Sequence, residues 1–451
     1  MENQNQDLKF VIVGHVDHGK STLIGRLLYD TNSLAPDKME EIRKTSADLG
    51  RVVEYAFLMD NLQEEREQGI TIDTAQTFFK TVQRQYIIID APGHVEFVKN
   101  MLTGASQAEA AILIVDAAEG VKEQTKRHSY LLALLGIKQV IVAINKMDLV
   151  SYQEDVFNKI KQELAEFLAG LKVEPKLYIP IVALNGDNVA VASTNMPWYS
   201  GPTILATLDN LQNLATLQNF PLILPAQEIF RIADKRYVLG RVEAGQVKPG
   251  QPIKVLPSGQ TTTVKTVEKF QQADLAIAVA GENIGLTTID PLFIERGNVI
   301  CQPGGEPLVK SEFSANLFWL HHEPLTKDEL LIVKCATQES LGQVVEIKKR
   351  FNSSTMEVLE ENANQLNFLE AGEVVIKVKQ PLALTKLSEL AELGKFVLIK
   401  NDNIVAGGII SELWHPPRLN RRVSCQSLRK KTLYFGRFIL AFTGEVFSAL
   451  R

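Results

Sequence analysis

The sequence predicts an α/β domain with a mostly parallel sheet, followed by two small β-barrels. Three observations predict it. From Phe10 to about residue 215, β-branched apolar runs alternate with amphipathic helical stretches. The character changes at "NFPLILPAQEIF" (219–230), and from there to residue 411 short strands punctuated by Gly, Pro and Asn replace the helical periodicity. Finally, "CQPGGEPL" (301–308) interrupts the strand-rich half, which suits two barrels of roughly 90 residues each better than one sandwich.

The first half's predicted strands are Phe10–Val13, Tyr86–Ile89, Ala111–Val115, Val140–Ile144 and Tyr178–Val182. They read as solid apolar runs rather than alternating ones, which is the pattern of strands covered on both faces. Helices are predicted over Ser21–Tyr29, Phe97–Leu102, Thr125–Leu135 and Glu154–Leu168, so that each crossover returns the chain parallel to the previous strand. The expected division is 1–218 for the α/β domain, 219–306 and 307–411 for the barrels, and 412–451 for a basic extension of unassigned fold. That extension carries Arg418, Arg421, Arg422, Arg429, Lys430, Lys431 and Arg437.

The chain has 451 residues, 45% of them apolar and 22% charged, with a formal net charge of −5, which argues against a general grip on nucleic acid. Its three cysteines, Cys301, Cys335 and Cys425, are far apart and lack metal-ligand spacing, so neither a disulfide framework nor a zinc site is expected. The leader MENQNQDLKF has no apolar core behind basic residues, and no run of 18 apolar residues occurs. The expectation is a cytoplasmic protein with no membrane partner.

The stretch "VIVGHVDHGKSTLIGRLL" (11–28) places Gly14, four residues, then Gly19, Lys20 and Ser21 between a strand and a helix. This is the context that a phosphate-binding loop needs: glycines let successive N–H groups curl toward phosphate oxygens, and the helix adds its positive end. Lys20 is expected to reach the β- and γ-phosphates, and the Ser21 hydroxyl to take one position on Mg²⁺. "IIIDAPGH" (87–94) ends a strand in Asp90, whose carboxylate can hold Mg²⁺ through water, while Gly93 can offer its N–H to the γ-phosphate. In "AINKMDLV" (143–150), Asp148 can accept from the N1–H and exocyclic amine of guanine, a donor pair that adenine lacks, so this carboxylate selects GTP over ATP. Asn145 would brace the loops and Lys146 would pack along the base. In "EREQGITIDT" (65–74), Thr71 could ligate Mg²⁺ and sense the γ-phosphate, making the polar stretch 37–68 before it a candidate switch.

Together "GHVDHGKST", "QGITID", "DAPGH", "NKMD" and "NMPWYSGPT" resemble the translation-factor class of GTPases over residues 8–411, a class in which a GTPase domain precedes two β-barrels. Within it, "STLIGRLLYDT", "LQEEREQGITID", "RHSYLLALLGIKQVIVAINKMDLV", "ALNGDNV", "MPWYSGPT" and "IKVLPSG" are most similar to the GTPase subunits of bacterial sulfate adenylyltransferases. "GHVDHGK" and "DAPGHVEFVKNMLTGASQAEAA" read more like archaeal and eukaryotic elongation factors. The first resemblance implies a partner, the small adenylyltransferase subunit, that makes adenylyl sulfate from ATP and sulfate while this chain hydrolyses GTP. The second implies tRNA and ribosome partners instead.

The resemblance also assigns roles. His94 would position the attacking water, with Val16 and Ile70 flanking it as an apolar gate, and Thr71 and Lys20 would complete the catalytic set. Val16, Asp17, His18, Gly19, Lys20, Ser21 and Thr22 would line the phosphates together with Gly14. Where the class usually has Ser before Ala in the third guanine loop, Val182 stands here, so the base contact rests on the backbone of Ala183 and Leu184. "AFTGEVFSALR" (441–451) begins like the phosphate loop of an adenylyl-sulfate kinase, but no Gly-Lys-Ser follows and no kinase activity is expected. His321 and His322 are expected on a barrel strand and its turn, and since adjacent side chains on a strand face opposite sides, they make poor joint metal ligands. Trp198 and Tyr199 are expected to cover core.

Overall fold

A computed structural model describes residues 7–15, 17–34, 76–89, 108–212, 217–232, 235–269 and 275–412. The predicted helix at 97–102, the switch stretch 37–68 with Thr71, residues Val16, Ile70, Asp90, Gly93, His94 and Cys425, and all of the basic extension beyond residue 412 lie outside these described residues.

The first sheet has six strands: β1 (Leu8–Val13), β2 (Gln76–Lys80), β3 (Gln85–Ile89), β4 (Ala110–Asp116), β5 (Gln139–Asn145) and β6 (Leu177–Pro180), in the order β2-β3-β1-β4-β5-β6. All neighbours run parallel except β2, which pairs antiparallel with β3. β4 and β5 are buried at every residue, as double-sided cover requires. β2 was not among the expected strands; its QTFFK is mostly exposed, as an edge strand's can be. β6 also stops earlier than expected. The Ile181 N–H still donates to the Ile144 carbonyl of β5 at 2.8 Å, and the chain then turns out of the sheet, the Val182 N–H donating to the Asp187 carbonyl at 3.2 Å.

Three helices cover this sheet among the described residues and bear on the site: α1 (Lys20–Asp30), α2 (Glu123–Leu134) and α3 (Glu154–Gly170). They pack on it through two apolar clusters, one holding Leu23, Ile24 and Leu27 of α1, the other Leu131 of α2 and Phe157 and Leu164 of α3. Trp198 covers that second cluster, its indole N–H donating to the Tyr152 carbonyl at 2.9 Å.

The first barrel closes over six strands, in the order Pro252–Leu256, Gln260–Glu268, Asn283–Thr288, Lys235–Arg241, Ile223–Ile232 and Val299–Cys301, and back to Pro252–Leu256. The second takes Leu330–Cys335, Lys395–Lys400, Asn403–Glu412, Leu308–Trp319, Glu370–Leu384 and Gln338–Asn352, closing through pairing of the last with the first. Cys301 and Cys335 are buried thiols, both pushed up to about 12 by burial, so neither is a nucleophile. His321 and His322 lie past the end of the strand Leu308–Trp319 rather than on it: His321 accepts from the Glu323 N–H at 3.2 Å, whereas the His322 ring lies tilted against Phe368 at 4.2 Å.

The second barrel also packs on the α/β domain. Tyr130 of α2 meets Phe318 and Phe351, with ring centroids 5.9 and 6.1 Å apart. Ser354 Oγ donates to Glu123 Oε1 at 3.2 Å.

Candidate nucleotide-binding site

The loop between β1 and α1 lies against the carboxyl ends of β4 and β5, where ligands bind in open α/β sheets. Its two glycines are required by contact. A Cβ on Gly14 would sit 2.5 Å from the Ile114 carbonyl oxygen of β4. Gly19 has φ +93° and abuts the Asn145 side-chain amide, so any side chain there is both strained and in collision. Gly19 is also the N-cap of α1, and no side chain caps that turn. A helix amino end of this kind turns its first-turn N–H groups outward, the arrangement that suits an anion.

Lys20 folds back over the loop and donates to the Gly14 and His15 carbonyls at 2.9 and 2.7 Å. An ammonium held on backbone carbonyls above a helix amino end is placed for an anion's oxygens. Asp17 sits at the exposed tip of the loop with φ 64°. His18 is buried, with Nδ1 3.3 Å from the Ile114 carbonyl and its ring edge-to-face with His15 at 5.2 Å. Burial dominates over that carbonyl and the nearby Asp116, and lowers the pKa of His18, so the ring is neutral near pH 7.

Asn145, at the end of β5, ties three loops together. Its Nδ2 donates to the His18 carbonyl at 2.9 Å, and its Oδ1 accepts from the Ala183 N–H at 2.9 Å. The second bond also constrains the base contact. With the Ala183 N–H already engaged, a base oxygen would have to share or displace that bond, or take the neighbouring Leu184 backbone.

Lys146 follows with φ 61° and pairs through Nζ with Asp116 Oδ2 at 2.8 Å. That pair fixes the ammonium and leaves the stem as the surface for a flat ring. Asp148 lies half-buried in the single turn Met147–Val150 just beyond.

Three residues of this site are not apparent from the sequence motifs. Asp116 ends β4, accepts from the Ala118 and Glu119 N–H groups at 2.8 and 3.3 Å, and anchors Lys146. Burial alone would raise it, but the Lys146 ammonium and those N–H donors together hold it below the usual carboxylate range. A carboxylate closing an apolar strand was its available signal. Arg26 of α1 pairs with Asp30 at 2.9 Å and reaches the Leu184 carbonyl at 3.5 Å, bracing the third loop from below. Gly186 passes against that guanidinium with φ +86°. His128 of α2 is almost wholly buried, with the charges of Lys20, His15 and His18 acting on it. Burial first, then those neighbours, lower it to about 3.

Among the residues expected in the site, the structure bonds Lys20 to Gly14 and sets His18, Gly19 and Ala183 against Asn145, with Ser21, Thr22, Lys146, Asp148 and Leu184 adjoining them in sequence. Val16, Thr71, Asp90, Gly93 and His94 fall outside the described residues.

Comparison with known proteins gives a consistent result. The family model of the elongation factor Tu GTP binding domain matches residues 5–225, that of elongation factor Tu domain 2 matches 235–301, and the GTP-eEF1A C-terminal domain-like model matches 312–411. Sulfate adenylyltransferase subunit 1 of Tolumonas auensis is 40% identical over 413 residues, covering 90% of this chain and 87% of that protein. The subunit of the same name from Alteromonas mediterranea is 41% identical over 415 residues, covering 90% and 87%. Elongation factor 1-alpha of Methanoculleus marisnigri is 38% identical over 420 residues, covering 92% of this chain and 99% of the factor.

Proposed function

Because the chain belongs to the translation-factor class of GTPases, we propose that it is the GTP-hydrolysing subunit of a sulfate adenylyltransferase. In this reading a separate catalytic subunit joins ATP and sulfate into adenylyl sulfate and diphosphate. That reaction is uphill because the phosphate–sulfate anhydride is reactive, and GTP hydrolysis here drives it. The observation that carries the GTPase part is the convergence of three loops on Asn145, which links the glycine loop at His18 to the third loop at Ala183. The identities of 40 and 41% to two subunits of that name support the finer assignment.

The chain's own residues supply placement. The uncapped first turn of α1 and Lys20 would hold the phosphates, and Asp148 would select guanine, with Lys146 fixed beside it by Asp116. Thr71 and His94 keep the roles of γ-phosphate sensor and water-positioning group. The donor set suits Mg²⁺: Ser21 opens the helix behind Lys20, and Asp90 and Thr71 would add oxygen ligands. When bound, the ion would offset charge on the phosphate oxygens. The domain limits at 218, 306 and 411 belong to the same proposal.

α2 gives a route from this pocket to the barrels. In α2, His128 lies within reach of the charges of Lys20, His15 and His18, and Tyr130 packs on Phe318 of the second barrel. A change of charge at the phosphates would thus be felt at His128, two residues from the aromatic contact with the second barrel.

A second reading, an elongation factor delivering aminoacyl-tRNA, is favoured by the match to nearly the whole length of the archaeal factor. Purification of the chain with its co-eluting proteins separates the two. The proposal expects an adenylyltransferase partner and GTP turnover that rises with ATP and sulfate. GTP-dependent protection of aminoacyl-tRNA from deacylation, with no such partner, would establish the second reading.

A further inference from the structure

A cavity of about 590 Å³ opens between the α/β domain and the second barrel, away from the nucleotide loops. On one side it is bounded by the ends of α2 and α3 and the segments that follow them, on the other by residues 386–388 and 410–411 of the barrel. The volume is in the range of small-molecule sites.

Its wall has two characters. Ile137, Leu171, Leu387 and Ile410 make an apolar floor. Around them stand Lys138, Lys172, Lys176 and Lys386, against a single acid, Glu174. Among the described residues, none of the four lysine side chains has an ion pair or hydrogen bond. Among the described lining residues, four lysines thus face one carboxylate, all on exposed side chains, a net of three positive charges.

The ordinary explanation is that lysines gather at helix carboxyl ends, each worth roughly half a negative charge. Two such ends account for about one charge and leave about two. Those ends are also partly occupied already. The Gly136 and Ile137 N–H groups donate to carbonyls of α2 at 3.0 and 3.1 Å, and those of Lys172 and Val173 donate to α3, both at 3.0 Å. Ser411 on the barrel wall adds a separate sign: its hydroxyl oxygen is shut off from solvent and has no hydrogen-bond partner among the described residues. Burying a hydroxyl without a partner is costly, so such groups ask for an explanation.

We propose that this joint binds an organic phosphate monoester, its apolar body on the floor and its dianion among the lysines. The ligand class follows from the residual charge of about two and from a cavity far too large and too apolar for a bare oxyanion. Since both domains contribute to the wall, an occupant fastens the second barrel to the α/β domain. The joint has this chemistry whichever partner the GTPase serves.

The test is titration of the full chain, saturated with GDP and Mg²⁺, with adenosine 5′-monophosphate and separately with inorganic phosphate, read by calorimetry. The expected result is saturable binding of the nucleotide, with inorganic phosphate weaker by at least ~10-fold for want of the apolar contacts. Lys138→Gln with Lys386→Gln, both exposed side chains, is expected to weaken the nucleotide at least ~10-fold while leaving GDP affinity unchanged. Leu171→Glu, which puts a carboxylate on the floor, is expected to abolish it. Absence of binding, equal binding of inorganic phosphate, or binding indifferent to these substitutions would each overturn the proposal.

Discussion

Gly19 and Asn145 should behave as one unit in a double-mutant cycle. Asn145→Ala removes a donor from the His18 carbonyl and an acceptor from the Ala183 N–H, all three residues being buried. Each stranded backbone group costs about 1–3 kcal/mol, so the single variant should lose about 2–6 kcal/mol between loop stability and nucleotide affinity. Gly19→Ala alone carries two penalties: a φ of +93°, worth about 1–2 kcal/mol for a residue with a Cβ, and a collision between that Cβ and Asn145 Nδ2. In the double variant the collision partner is gone and only the φ penalty remains. The two losses should therefore fall short of additivity by about 1 kcal/mol or more. Displacement of a fluorescent GDP analogue reads affinity, and thermal unfolding of the same four proteins reads stability. Additivity within about 0.3–0.5 kcal/mol in both would refute the contact as the reason for a glycine at this position.

Three further outcomes are expected. His128 has its folded pKa depressed from 6.5 to about 3, and His18 is also lowered, so the unfolded chain binds more protons between those values. Stability should therefore fall as pH drops from 6.5 toward 3, and His128→Phe should flatten that slope in pH-dependent denaturant unfolding. Asp116 adds to the acid side, since its lowered carboxyl contributes stability that is lost as pH falls through its folded pKa. Tyr130→Ala should destabilise the chain by about 3 kcal/mol and lower its melting temperature, because it opens the aromatic contact with Phe318 and Phe351. Lys20→Ala should abolish measurable GTP binding, read by displacement of the same fluorescent analogue, because it removes the ammonium that the Gly14 and His15 carbonyls hold over the loop.

The parts of this molecule that are legible in its sequence are those whose reasons are local. β4 and β5 are apolar at nearly every position because both faces are covered, and a single sequence displays that directly. Gly14, Gly19 and Lys20 sit within one short loop, so their spacing alone carries the phosphate reading. Asp116, Arg26 and His128 are not legible because their roles depend on what folding sets beside them. Asp116 matters through Lys146 thirty residues later, Arg26 through the Leu184 carbonyl, and His128 through a loop that precedes it by more than a hundred residues. β2 is hidden because an edge strand needs no apolar run to pair with β3. The engagement of Ala183 by Asn145 is equally invisible, being a bond between loops from two different strands.

In the proposed reading, one cleft assembled around Asn145 takes a guanine nucleotide, and Asp148 reads the base. Competition of GTP, ATP and xanthosine triphosphate for the wild-type chain and for Asp148→Asn is the decisive experiment. Wild type should prefer GTP strongly over both others, and the variant should lose GTP and gain the xanthine nucleotide, whose N1 side offers the complementary pattern. Unchanged GTP affinity in Asp148→Asn, or equal binding of ATP by the wild type, would contradict that assignment.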